Sequence, residues 1–273
     1  MKRRILLSVS ILLVFIGLAM LIAPRVSNQI GKQIAHSTIE DFKSLKSEAT
    51  ADEVTVEMPS EENTTNQNSQ KNSSFVSHID DETELTEEEY NGQTVKPNFT
   101  RLYMDSVIYN EALKQHQAEL LINEQAYQKP SLNLSSYGID NGVYGYVSAP
   151  SIGMELPIYL GGNDDNMALG AAHMTYTSLP IGGESTNCVL SGHSGYIGRI
   201  FFDYLPNLNI GDEIVVENYW NTLTYQVTRK QINKSYESAD CFITDGKDLL
   251  TLITCISDRH GGFDRFYVIA ERS

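Results

Sequence analysis

The second half of this 273-residue chain is divided into short apolar segments that are separated by glycine, proline and asparagine. Segments of this length, rich in β-branched and aromatic residues, favour strands over helices. The candidate strands are 143–147, 155–160, 186–190, 213–217, 222–227, 249–255 and 266–270. Many short strands with such punctuation are typical of a closed or nearly closed β-barrel, so we expect a mainly β domain.

A helical pattern precedes the strands. Apolar residues recur at near-helical spacing between 107 and 121, with charged residues between them, and predict one or two helices within 103–128. Pro130 ends this region, because proline cannot continue a helix. We therefore expect N-terminal helices ahead of the β-rich part of the chain.

The N-terminus carries the pattern of a membrane anchor. A basic cluster at residues 2–4 precedes an uncharged stretch at 5–23, which at 1.5 Å per residue is about long enough to cross a hydrocarbon core of ~30 Å. A cleaved secretory signal is the alternative, but Pro24 follows directly and the stretch ends without the small-residue pattern of a cleavage site. We predict that residues 1–27 form a cytoplasmic tip and a single transmembrane signal-anchor, with the rest of the chain extracellular.

Between this anchor and the predicted helices the chain is polar and acidic. We expect a short amphipathic stalk helix near 28–48 and disorder across 59–74, where too little apolar surface is available to offset the entropy of ordering. With the acidic run 80–89, residues 28–97 are predicted to be a stalk and a disordered acidic linker, and residues 98–273 the folded domain. The net charge of −15 argues against a nucleic-acid partner, which requires a basic footprint.

Three cysteines, Cys188, Cys241 and Cys255, are too few for a small domain that is stapled by disulfides. At most one pair can form, and a disulfide between Cys188 and Cys241 stays open on sequence grounds. Cys188 lies within a candidate strand and is expected to be a small buried hydrophobic residue. Cys255 differs from the other two because it follows a long apolar run.

Three chemically suited side chains fall at strand ends. Cys255 ends one candidate strand, the segment 189–193 predicts another strand that ends on His193, and Arg265 opens a third. A thiolate is the nucleophile in cysteine acyl transfer, and an imidazole handles the proton of the leaving group. A cation or fixed donor stabilises the oxyanion that develops. These residues together predict an acyl-transfer site, with Arg259 as the alternative cation.

Several motifs resemble those of the sortase family. Thr-Leu-Ile-Thr-Cys at 251–255 is followed by an arginine ten residues after the cysteine. Gly-Ala-Ala-His at 170–173, Thr-Ser-Leu-Pro-Ile-Gly-Gly at 177–183 and Val-Leu-Ser-Gly-His at 189–193 resemble class C sortases in particular. The resemblance covers about residues 137–272. Class C members usually carry an Asp-Pro-aromatic lid motif, and this chain contains no Asp-Pro, so the resemblance is to a class C-like enzyme without that motif.

The resemblance implies a closed eight-stranded β-barrel and a membrane-tethered cysteine transpeptidase outside a Gram-positive cell. Such an enzyme cleaves an LPxTG-like sorting signal. The resemblance implies that Cys255 holds the substrate as a thioester, that His193 donates and accepts protons, and that Arg265 stabilises the oxyanion and the substrate. Thr254 and His173 are the predicted substrate contacts. Neither a cofactor nor a metal is implied.

The implied partners are surface proteins or pilins that carry a C-terminal sorting signal, together with an amine acceptor. That acceptor is either a pilin lysine or a peptidoglycan precursor, and pilus or surface-protein assembly is the expected function. Three alternatives stay open at this stage. They are a sortase of another class that anchors proteins to peptidoglycan, a cysteine hydrolase that releases surface proteins, and a non-catalytic barrel that binds sorting signals.

Overall fold

A computed structural model describes residues 2–52, 96–120, 126–195, 201–234, 237–258 and 260–273. Most of the predicted linker and the alternative cation Arg259 lie outside these residues. The helices are α1 (Lys2–Asp52), α2 (Phe99–Leu120) and the short α3 (Asp164–Met167). Single 3-10 turns occupy Ala126–Gln128, Leu134–Tyr137, Pro150–Ile152, Leu205–Asn207 and Ala239–Cys241.

Eight strands close into one barrel. They are β1 (Val143–Ala149), β2 (Met154–Leu160), β3 (Ala171–His173), β4 (Thr186–Ser191), β5 (Glu213–Asn218), β6 (Thr222–Asn233), β7 (Asp248–Ser257) and β8 (Phe263–Arg272). Around the barrel their order is β1-β2-β3-β4-β7-β8-β6-β5, and β5 pairs with β1 to close it. The pairs β2·β3 and β4·β7 are parallel, and the other neighbours are antiparallel. The predicted closed eight-stranded barrel is therefore confirmed.

Alternation along the strands separates the barrel interior from its outer face. Successive residues of a strand face opposite sides of the sheet, so every second side chain points into the barrel. These inward side chains form one buried apolar cluster. This interior cluster includes Val147, Leu156, Ile158, Cys188, Leu190, Phe202, Ile214, Leu250, Leu252, Phe266 and Val268. A second cluster lies on the outer face, where α1 and α2 cover β1, β2 and the loop after β3.

The helix α2 holds the loop after β3 against the barrel through hydrogen bonds of buried side-chain amides. Asn110 donates from Nδ2 to the carbonyl oxygen of Leu179 (3.3 Å) and accepts from its amide (2.7 Å). Gln117 donates to the carbonyl oxygen of Tyr176 (3.0 Å) and accepts from the amide of Ile243 (2.8 Å). The motif at 177–183 is therefore a loop that α2 holds at Leu179, whose amide and carbonyl oxygen both bond to Asn110.

All seven candidate strands are present, with bounds that differ by a few residues at most ends. β3 was not predicted, since a three-residue strand is too short to show a period. The helix expected within 103–128 begins earlier, at Phe99, and its described part ends at Leu120. β7 runs two residues past Cys255, whereas β4 ends at Ser191, so His193 lies in the following loop rather than on a strand.

The predicted anchor, residues 5–23, lies within α1. Among the residues described here, no helix combines the length and the apolar character that crossing a membrane requires. The stretch predicted as a stalk contains the second half of α1, and this half packs on the barrel through the buried side chains Ala35, Ile39 and Phe42. The predicted stalk therefore includes a helix that belongs to the folded body.

Candidate active site

The three residues predicted for acyl transfer come from neighbouring strands of the barrel. Cys255 on β7 lies directly opposite Arg265 on β8 in the antiparallel register. On the other side of β7, the parallel register pairs Ser191 of β4 with Ile253. Continued two residues beyond the end of β4, this register brings His193 level with Cys255. The sheet thus arranges the imidazole, the thiol and the guanidinium in one row.

The row lies on the outer face of the sheet. Leu250 and Leu252 of β7 point into the barrel core, so Cys255, with the opposite parity, points outward. On β8, Phe266 belongs to the interior core, and its neighbour Arg265 therefore also points outward. Cys255 and Arg265 are both half-buried, so the row is open to solvent.

The guanidinium contacts the thiol directly. Nη1 of Arg265 donates a hydrogen bond to Sγ of Cys255 at 3.1 Å, within the distance expected for a sulfur acceptor. The contact places a fixed positive charge beside the sulfur atom that would act as the nucleophile. The remaining guanidinium donors are available for a substrate oxygen beside the sulfur, because arginine carries five N–H donors in a fixed fork.

The backbone at His193 is held by contacts to two neighbouring segments. The amide of Gly192 donates to the carbonyl oxygen of Ile253 (3.1 Å), so the chain still follows β7 one residue before the histidine. The amide of Phe202 donates to the carbonyl oxygen of His193 itself (3.0 Å). The buried ring of Phe202 also packs on Gly192, where an added Cβ would lie 2.9 Å from the ring. Glycine is therefore required beside the histidine for close packing.

Thr254, predicted as a substrate contact, is buried instead. Its hydroxyl donates to the carbonyl oxygen of Gly192 at 2.8 Å. This bond joins the residue before the nucleophile to the residue before the histidine. The contact indicates a positioning role, in which Thr254 sets the spacing between Cys255 and His193.

His173, the second predicted substrate contact, is fully buried at the end of β3. Its Nε2 lies 3.0 Å from the carbonyl oxygen of Ser178 and 3.2 Å from that of Thr177, so we assign the ring proton to Nε2. Nδ1 then accepts from the hydroxyl of Ser131 (3.1 Å). Burial lowers the pKa of His173 to about 4, and these contacts indicate a neutral, structural histidine that holds the loop after β3.

The other two cysteines are unsuited to nucleophilic chemistry. Cys188 lies in the interior core and Cys241 in a separate cluster outside the barrel wall, so no disulfide joins them and all three cysteines are free. Burial raises the pKa of Cys188 well above its usual value and raises the pKa of Cys241 to about 12. The expectation of a buried hydrophobic Cys188 is confirmed, and Cys255 is the accessible thiol.

A tight turn after the nucleophile strand was not anticipated. The carboxylate of Asp258 accepts hydrogen bonds from the amides of Gly262 (2.6 Å) and His260 (2.8 Å), which lower its pKa. Asp264, next to Arg265, is paired with Lys234 at 2.9 Å and 3.1 Å. This pairing leaves the guanidinium of Arg265 directed to Cys255. The Asp-x-x-x-Gly spacing was the available signal, because aspartate commonly caps such turns.

The chain is similar in sequence and in fold to known proteins. A family model described as the sortase domain matches residues 147–273. Sortase A of Bacillus anthracis is 27% identical over 158 residues, which are 58% of this chain and 72% of that protein. The pilus-related sortase C of Group B Streptococcus is 30% identical, with a TM-score of 0.50 over 62% of this chain and 90% of that one. Sortase C of Clostridium perfringens, solved with the C-terminal cell wall sorting motif, is 28% identical, with a TM-score of 0.53 over 74% and 97% of the two chains.

The matched region includes the three strands that present the row. It begins within β1 and runs to the end of the chain, so it contains Cys255, His193 and Arg265. The alignment with the streptococcal relative covers 90% of that protein's chain, and the two folds agree in the closed barrel described above. On these grounds the chain belongs to the sortase family of cysteine transpeptidases.

Proposed function

We propose that this sortase is anchored in the membrane, cleaves an LPxTG-like sorting signal and transfers the acyl part to an amine. The observation that carries the proposal is the row of His193, Cys255 and Arg265, with the hydrogen bond of 3.1 Å from the guanidinium to the thiol. A thiol alone could be structural. A thiol that is paired with a cation and level with an imidazole supplies each group that acyl transfer requires.

In the first half-reaction, Sγ of Cys255 passes its proton to His193 and attacks the carbonyl carbon of the Thr–Gly bond. A C–S bond forms, and the electron pair of the carbonyl moves onto its oxygen. Arg265 donates hydrogen bonds to this oxyanion. His193 then donates a proton to the amide nitrogen, the C–N bond breaks, and the glycine-bearing fragment leaves as an amine while the acyl group remains as a thioester.

In the second half-reaction, an incoming amine attacks the thioester carbonyl and loses its proton to His193. The C–S bond breaks, the thiolate of Cys255 is released beside Arg265, and a new amide bond joins the two polypeptides. The same imidazole therefore serves as acid and then as base. The site gives up one proton in the first half-reaction and regains it in the second, so the complete cycle restores the initial proton count.

Membrane anchoring is supported by the N-terminal sequence. The basic cluster at 2–4 and the uncharged stretch 5–23 match the length and flank of a signal-anchor. Several apolar side chains of this part of α1 are exposed rather than packed on the barrel, as expected for a helix that meets lipid. They are Leu13, Val14, Phe15, Ile16, Leu18 and Met20. The proposal places the catalytic domain, residues 98–273, outside a Gram-positive cell.

Pilus or surface-protein assembly is the favoured role. The support is the set of class C relatives, one of which is pilus-related, and the Thr-Ser-Leu-Pro-Ile-Gly-Gly motif at 177–183. The partners would be pilins or surface proteins with a C-terminal sorting signal, and the acceptor amine a pilin lysine. Anchoring to a peptidoglycan precursor is the second candidate, favoured by the Sortase A relative and by the lack of an Asp-Pro lid motif.

The test is transpeptidation by the full chain in detergent micelles. The enzyme is incubated with an LPxTG peptide and either a lysine-containing pilin segment or an oligoglycine amine, and intact mass is recorded. We expect a thioester adduct that Cys255→Ala abolishes. Arg265→Met should lower kcat/KM by about 10²–10³-fold. The matched control Arg272→Met changes an arginine at the far end of β8, beside Tyr225, and should leave kcat/KM unchanged.

The two acceptors separate the two roles. Preference for the lysine amine supports pilin assembly, and preference for oligoglycine supports anchoring to peptidoglycan. Cleavage that persists in Cys255→Ala would overturn the proposed nucleophile. Adduct formation without transfer to either amine would instead identify a hydrolase.

A further inference from the structure

The helix α1 lies along the barrel in a defined direction. Residues 31–36 face the start of β2 at 153–156 and residues 201 and 204. About 22 Å further along the helix, at 1.5 Å per residue, Nζ of Lys46 donates to the carbonyl oxygen of Asn218 (2.8 Å) and to the carboxylate of Glu217 (3.1 Å). The second half of α1 therefore reaches from one end of the barrel to the other.

The end that residues 31–36 face is the end that carries the catalytic row. β2 begins there at Met154 and is parallel to β3, β3 is antiparallel to β4, and β4 is parallel to β7. The start of β2 consequently lies toward the same end of the barrel as the ends of β4 and β7, near which His193 and Cys255 lie. Asn218 ends β5 at the opposite end, because β5 is antiparallel to β1.

The contact between α1 and the barrel is extensive enough to fix this direction. Ala35, Ile39 and Phe42 recur at helical spacing and are buried against the barrel. The ring of Phe42 packs on those of Tyr146 and Tyr219, with centroids 5.9 Å and 4.6 Å away. Burial of these apolar side chains stabilises the docked position of the helix.

We propose that α1 acts as a strut that holds the barrel with its catalytic end toward the membrane surface. The inference rests on the membrane anchor of the proposed function. The helix is continuous, and Gly31 at the barrel rim is the eighth residue after Ala23, the end of the anchor, which is about 12 Å of helix. A kink at Pro24 would tilt the barrel but would not exchange its ends. The site is thereby placed to act on polypeptides presented close to the bilayer surface.

The orientation is testable by energy transfer to lipid. The full chain, as Cys255→Ala, is reconstituted in phosphatidylcholine–phosphatidylglycerol vesicles that contain an acceptor-labelled lipid. A donor dye is attached to a single cysteine introduced by Ile210→Cys, at the exposed catalytic rim, or by Asp245→Cys, in the exposed turn before β7 at the other end. Ten residues of β7 separate the two ends by about 33 Å. We expect greater loss of donor emission at 210 than at 245.

Two measurements make the outcome decisive. Insertion of a short Gly-Ser segment after Asn28 interrupts the strut without touching the barrel, and the difference between the two labels should then shrink. Vesicle flotation of the same samples reports on the anchor. If the protein floats with the vesicles but energy transfer is equal at 210 and 245, or greater at 245, the proposed orientation is wrong. The anchor and the transpeptidase activity would not be affected by that result. Absence of flotation would overturn the anchor, and the orientation with it, whatever the activity in detergent.

Discussion

The pH dependence of folding stability should report the buried imidazole of His173. In the folded protein burial lowers its pKa to about 4, against 6.5 for an exposed histidine, and this outweighs its contacts with the carbonyl oxygens of Ser178 and Thr177. The folded state therefore holds the ring neutral across a range in which the unfolded chain binds a proton. The perturbation that removes this difference is His173→Gln, which keeps a neutral hydrogen-bonding side chain but cannot titrate.

The sign and size follow from linkage. The unfolded chain takes up a proton as the pH falls below 6.5, whereas the folded chain does so only near pH 4. The contribution of His173 to stability is complete above pH 6.5 and is lost as the pH falls toward 4. A pKa difference of about 2.5 corresponds to about 3 kcal/mol in full, and most of this, about 2.5 kcal/mol, is lost between pH 7.5 and pH 4.5.

The assay is urea unfolding of the full chain in detergent at these two pH values. The wild type should lose about 2.5 kcal/mol more than His173→Gln, because titrating carboxylates contribute equally to both and cancel in the difference. His116→Gln is the matched control, since this histidine is exposed on α2 and lies 3.8 Å from Glu119. The His116→Gln variant should lose as much free energy of unfolding as the wild type between the two pH values.

If His173→Gln and the wild type lost the same free energy of unfolding, the imidazole would not be held neutral by burial. The histidine titration can also be followed by NMR in the wild type, which keeps the test available if the variant fails to fold. A ring that titrates near pH 6.5 in the folded protein would contradict the buried site directly.

Three further predictions concern positioning and packing. Thr254→Val removes the hydroxyl bond to Gly192, so kcat should fall about tenfold and the free energy of unfolding by about 1–3 kcal/mol, and Thr254→Ser should restore both. Gly145→Ala would overlap the backbone carbonyl of Glu217 and should lower the free energy of unfolding by about 1–3 kcal/mol or more in urea titration. Phe42→Ala should cost about 3–5 kcal/mol, measured the same way.

The strand pattern of the barrel could be predicted from local sequence, since each segment shows its apolar residues and its punctuation. The row of His193, Cys255 and Arg265 could not be predicted in this way. It depends on the parallel pairing of β4 with β7, two strands separated by more than fifty residues, and no local period encodes a register between them. The choice of Cys255, His193 and Arg265 came from chemistry and family resemblance, and the pairing supplies the physical reason.

For the second half of α1 the helix could be predicted but its packing partner could not. Its helical period was visible in the sequence, but a period cannot say what covers the apolar stripe, and a stalk was predicted where the structure packs a helix on β1 and β2. Thr254 and His173 illustrate a related limit. Adjacency to a nucleophile or membership of a motif does not reveal whether a side chain faces substrate or carbonyl oxygens.

The register of β4 against β7 is itself held by buried polar groups on the face that carries the site. The hydroxyl of Thr251 donates to Oδ1 of Asn187 (2.9 Å), and Nδ2 of Asn187 donates to the carbonyl oxygens of Asp240 (2.9 Å) and Phe242 (3.0 Å). A slip of one residue would leave these groups unpaired and would turn His193 to the other face, away from Cys255. This network lies four residues before Cys255 on β7 and six residues before His193 on β4. It ties the alignment of the two side chains to folding, because the register that pairs the buried amide is also the one that places the imidazole beside the thiol.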